Sequence, residues 1–152
     1  METIAVMATR LFLLVLLTAC LGSLAQAADT TLEDLKKRVE QAKPEDQPAQ
    51  YSEIARKELD VANERLNDGK GGEAMEYLEE SVADAIRAGE AATKVHKRQK
   101  ETEIVVRHMV SRMKDMQRLV SYDDSQLMLK AITRLEQVRS DLLASMFSKD
   151  KK

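Results

Sequence analysis

Met109, Met113 and Met116 recur at spacings of four and three beside His108, which on a helix places three thioethers on one face. Soft sulfur ligands so arranged suit Cu(I), and a His with a Met could ligate haem inside a four-helix bundle. The same spacing continues through Val106 and Val120, however, so the stripe reads first as a core face that adaptable Met side chains complete. No Cys-x-x-Cys-His segment accompanies it. The sequence therefore assigns no metal ligand and no cofactor site, and a Cu(I) or haem carrier stands only as an alternative.

Catalytic constellations are lacking as well. A nucleophile needs an adjacent activating base, whereas His96 and His108 lie among basic and polar neighbours with no hydroxyl or thiol placed to serve them. Glu79 with Glu80, and Asp123 with Asp124, are adjacent carboxylates that point apart on a helix or sit in a turn, so neither pair forms an acid/base couple. No catalytic residue is assigned, and the chain reads as a non-enzyme.

The start of the chain speaks to destination. Arg10, the apolar run Leu11 to Leu17 and the small residues of Ala25-Gln26-Ala27 form a secretory signal pattern, with residues 1–27 removed by cleavage between Ala27 and Ala28. The run is too short for a permanent span, which takes about 20 apolar residues. Met7 makes a more usual initiator than a start followed by the acidic Glu2. Leu17-Thr18-Ala19-Cys20 also reads as a lipobox, so lipidation at Cys20 competes with soluble export. The expected location is periplasmic or extracellular, or a membrane-anchored lipoprotein in the second case. Cys20 is the sole cysteine, so no disulfide supports the exported domain and packing must hold it together.

Charged residues make up 33% of the chain and aromatics 3%, with no Trp, a composition that favours solvated helices over a sandwich or an α/β enzyme. Residues 28–152 are expected to form a single all-α domain, a hairpin or bundle with coiled-coil-like seams. Thr30 and Glu33 make a capping-box pattern ahead of Leu32, Leu35, Val39 and Ala42, and Pro44 ends that segment. Tyr51, Ile54, Ala55, Leu59, Ala62 and Leu66 mark a second helix closed by Asn67-Asp68-Gly69. Met75, Leu78, Val82, Ala85 and Ile86, resuming at Val106 to Val120, read as one long central helix over 73–121, about 73 Å at 1.5 Å per residue, with two helices as the alternative the spacing leaves open. Met128, Ala131, Leu135, Val138 and Leu142 form the last seam.

Ala62, Leu66, Gly69, Ala74 and Leu78, spaced by four, three, five and four, resemble the helix-turn-helix of a tetratricopeptide repeat. The stretch 51–92 is still more similar to the single hairpin of an uncharacterised family of bacterial envelope and lipoprotein domains, in which Ala and Leu repeat around one Gly turn. It departs from the repeat at Arg65, where an aromatic is usual, and at Ser81, where Ala is usual, and no second copy follows in sequence. The resemblance implies binding rather than catalysis.

Charge is uneven. Residues 58–90 carry ten acidic and three basic side chains, and residues 94–118 carry eight basic and three acidic. Lys94, Lys97, Arg98 and Lys100, with His96, could grip an anionic surface, and with Val95 the only apolar residue over 94–103 this portion bends or extends into solvent. Nucleic acid is an unsuitable partner: the net charge is -2 and no aromatic interleaves the basic run. The expected function is an exported, non-catalytic helical module that binds a protein partner or itself through the seams Met109 to Val120 and Met128 to Leu142. The alternative is a holdase chaperone, although Ile132-Thr133-Arg134-Leu135-Glu136 misses the Leu-Thr-x-x-Gln signature of small helical chaperones.

Overall fold

The computed structural model describes residues 31–148 as five α-helices and one short 3-10 turn, with no strand among the described residues. They are α1 (Leu32–Gln41), α2 (Gln47–Asn67), α3 (Gly71–Val95), α4 (Gln99–Met116) and α5 (Tyr122–Ser148), with the 3-10 turn at Gln117–Leu119. The signal pattern, Cys20 and the Ala27–Ala28 junction lie outside the described residues.

Local chemistry sets each boundary. Thr31 caps α1, its Oγ1 accepting from the Asp34 amide at 3.2 Å and donating to the Asp34 carboxylate at 2.7 Å. That cap sits one residue beyond the Thr30–Glu33 pattern expected from the sequence. Pro48 occupies the first turn of α2, where its missing N–H costs nothing. Gly69 ends the helix at φ 75°, with the Lys70 amide bonded back to the Arg65 carbonyl at 2.8 Å.

The expected long helix over 73–121 is instead two helices. His96 and Arg98 both adopt left-handed backbone, at φ 55° and 58°, and reverse the chain between α3 and α4. Such a conformation costs a non-glycine residue roughly 1–2 kcal/mol. The charge-rich interval 94–103 offers a straight helix little surface to bury, whereas reversal lets α4 place Val106, Met109 and Met113 in the core, none more than 2% exposed.

The helices form two antiparallel hairpins, α2–α3 and α4–α5. In the first, Arg65 pairs with Glu73 near the turn at 3.3 Å, and Ser81 Oγ donates to the Ala55 carbonyl at 2.9 Å farther along. In the second, Gln117 Nε2 reaches the Ser125 carbonyl at the turn, while Glu103 takes Arg139 at 2.6 Å and Gln99 takes Ser145 at 2.6 Å at the open end. The hairpins stack with equivalent helices parallel: the segments leading into α2 and α4 meet through Glu45–Lys97, the two helices meet through Asp60–Arg112 farther along, and α3 meets α5 through Glu79–Arg134 at 2.5 Å. Gly89 makes that second approach close, since a Cβ built there would lie 2.5 Å from Val138 Cγ1.

The stacking is an internal structural repeat, although no second sequence copy was expected. Ser52, Ala55, Glu58, Leu59 and Ala62 are buried on α2 in the same order and spacing as Glu103, Val106, Met109, Val110 and Met113 on α4. Leu78, Ser81, Val82, Ala85 and Ala92 on α3 likewise match Met128, Ala131, Ile132, Leu135 and Leu142 on α5. One core runs through all four helices, while α1 adds a satellite cluster in which Leu35 and Val39 pack on Ile54.

Candidate functional site

Parallel stacking of α2 and α4 leaves a groove of about 470 Å³ along their shared face. Ser52, Arg56 and Asp60 line it from α2, with Arg98, Glu101 and Thr102 at the start of α4. The left-handed backbone of Arg98 sets it beside the first turn of α4, which has no side-chain cap, so the positive end of that helix opens at the groove. Asp60 is held across the groove by Arg112, whereas Arg56 and Arg98 form no ion pair among the described residues. Ser52 is 7% exposed, and its Oγ has no hydrogen-bond partner among the described residues. A buried hydroxyl, two guanidinium groups and an open helix terminus can together accept a carboxylate or another oxyanion. Glu53 and Glu101 on the rim add hydrogen-bond acceptors and oppose a purely anionic occupant.

The basic residues singled out in sequence are divided by the fold. Arg98 reaches the groove, Lys97 is tied to Glu45 at 2.6 Å, Lys94 lines a separate apolar hollow between α3 and α5 with Ile86 and Val138, and Lys100 is exposed. The Lys97 contact holds the Glu45 carboxyl below its usual range. Arg56 and Ser52, four residues apart on α2, complete the site although nothing in their own neighbourhood marks them. The charged interval 94–98 meets them only because the chain reverses there.

A second polar cluster lies where α1, α2 and α3 meet. Lys36 bridges Glu58 at 2.8 Å and Glu80 at 2.9 Å, and the buried Asp84 holds Arg87 at 2.7 Å. Glu58 is fully buried, and burial pushes its carboxyl up to about 7, with Lys36 opposing the rise and Asp84 reinforcing it. Lys36 is raised by its two carboxylate partners against the cost of its own burial, and Glu80 is lowered, chiefly by Lys36. These charges fasten α1 to the first hairpin.

The seams expected to receive a partner are occupied within the chain. Met109, Met113 and Met116, together with Met128, Ala131, Leu135 and Leu142, are at most 3% exposed, whereas His108 is exposed. Folding thus separates the imidazole from the thioethers that adjoin it in sequence. Among the described residues no three or more His, Cys, Asp or Glu side chains gather where they could hold a metal ion, and no helix is long and apolar enough to cross a membrane. No family model, curated protein or solved structure matches the chain.

Proposed function

We propose that the protein is a non-catalytic helical binding module of the cell envelope that holds a protein partner in the α2–α4 groove. The partner presents an acidic side chain to Arg56 and Arg98. The observation that carries this reading is the buried Ser52 hydroxyl, without a partner among the described residues, facing the same groove as two guanidinium groups that pair with none of those residues and the uncapped start of α4. The signal pattern of residues 1–27 supports an envelope location, and the resemblance of 51–92 to envelope helical hairpins supports binding over chemistry. The burial of Met109, Met113, Met116 and Met128 favours this reading over a holdase chaperone, which would need an exposed adaptable surface.

Site-specific photo-crosslinking in the native envelope tests the proposal. A photoreactive residue at Glu53 or Glu101 is expected to give one discrete protein adduct that the same residue at Gly72, on the exposed α2–α3 end, does not give. Combining Arg56→Glu with Arg98→Glu is expected to abolish it. The absence of any adduct, or one that survives both charge reversals, would overturn the reading.

A further inference from the structure

Among the described residues, the outer face of α5 has no intrachain partner. Tyr122, Gln126, Leu129, Thr133, Gln137, Ser140, Ala144 and Phe147 are all exposed, and at 100° per residue they fall within an arc of about 80°. No charged residue lies in that stripe along the whole of α5, in a chain one-third of whose residues are charged. Leu119, Tyr122, Leu129 and Phe147, exposed by 74, 79, 47 and 66%, lie on it or beside its N-terminal end, while the equally exposed Leu127 lies off it. A solvated helix face normally carries charge, so a charge-free stripe ending in aromatics calls for a protein surface.

The order of residues along the stripe says which one. About a midpoint between Thr133 and Gln137 its ends are both aromatic and its centre both polar, while Leu129 falls opposite Ser140 and Gln126 opposite Ala144. When two copies of α5 run antiparallel about a two-fold axis there, Tyr122 and Leu119 of each copy meet Phe147 of the other, Gln126 meets Ala144, and Thr133 meets Gln137. In an antiparallel pair each flank faces the same flank of its partner. On one flank Lys130 therefore falls opposite Asp141 of the second copy, twice by symmetry. Within one chain those two side chains are three helical turns apart, about 16 Å, and cannot pair. Lys130 has no ion pair among the described residues, and Asp141 is positioned by the Gln137 amide at 2.8 Å. On the other flank, each Glu136 near the axis is already neutralised by Lys114 at 2.8 Å. A parallel arrangement would instead turn the flank of Lys130 and Asp141 toward the opposite flank of the second copy, where these two residues could not meet.

We infer that α5 forms a homodimer interface in which two copies pack antiparallel, with Lys130 of each bonded to Asp141 of the other. None of the stripe residues lines the α2–α4 groove, so the dimer would carry two open grooves, and the two readings stand or fall separately.

Sedimentation velocity on the purified protein tests the inference. The wild type is expected to move from monomer to dimer with concentration, and Leu129→Lys is expected to stay monomeric with an unchanged circular dichroism spectrum, since that residue is outside the core. Lys130→Asp and Asp141→Lys should each raise the dimer dissociation constant about tenfold, as two modest ion pairs are lost. The two exchanged within one chain should return it to near the wild-type value. A monomer at every concentration would overturn the interface. A dimer indifferent to Leu129→Lys, or unrescued by the charge exchange, would overturn this face and its antiparallel register.

Discussion

Glu58 sits where α2 meets α1 and α3, facing Lys36 from α1 and Glu80, Asp84 and Arg87 from α3. Its folded carboxyl titrates near 7, above the roughly 4.3 of a free glutamate. Between those values the native state binds the extra proton, so stability falls as pH rises through this window. The lowered carboxyls of Asp34, Glu45 and Glu80 act in the opposite sense, adding stability that is lost as pH falls below the ordinary carboxylate range. Lys36 is raised, so its contribution is full at neutral pH and fades only in strong alkali. The urea midpoint of the wild type is therefore expected to fall between pH 5 and 8, and Glu58→Gln to flatten that fall. Superimposable slopes for the two proteins would assign the effect elsewhere. The sequence pattern left Glu58 as one more charge on a helix, because its burial is imposed by α1 and α3, which pack on α2 from both sides of it in sequence.

At the scale of the elements, the α3–α5 contact depends on Gly89. An added methyl there meets the stiff, β-branched Val138 at 2.5 Å, so Gly89→Ala is expected to cost about 1–3 kcal/mol from overpacking, against a helix-propensity gain of about 1 kcal/mol. Val138→Ala in the same chain should recover most of the net loss, as thermal melts of the two single variants and the double variant would show. Additive losses would mean that the two residues do not limit the approach. The sequence made the helix faces and the Gly69 turn legible, because apolar spacing and left-handed glycine are local signals. It marked 94–103 as a place to bend but not the full reversal at His96–Arg98, where neither Gly nor Pro stands and the tertiary packing of α4 outweighs the local backbone cost. It also hid the repeat: equivalent buried positions hold Ala85 and Leu135, or Ala62 and Met113, so burial recurs while identity does not.

For the molecule as a whole, stacking makes four helices one cooperative unit and leaves α1 as an attachment. Met113 is completely buried in a cluster that draws on all four hairpin helices, whereas Leu35, 2% exposed, touches a small cluster between α1 and α2. Truncating either leaves a cavity, but the cavities weaken different things. Met113→Ala should lower the global unfolding free energy by about 2–5 kcal/mol, and native-state hydrogen exchange should show the protected amides of α2 to α5 losing protection together. Leu35→Ala removes α1's main anchor, yet the bundle core keeps its own packing. Exchange in α1 should then accelerate while the most protected amides of α3 and α4 hardly change. The Lys36 bridge to Glu58 and Glu80 adds to the attachment of α1 through charge rather than apolar area. If Leu35→Ala accelerated exchange across all five helices to the same extent as Met113→Ala, α1 would belong to the same cooperative unit, and its buried ion pair would be part of the core.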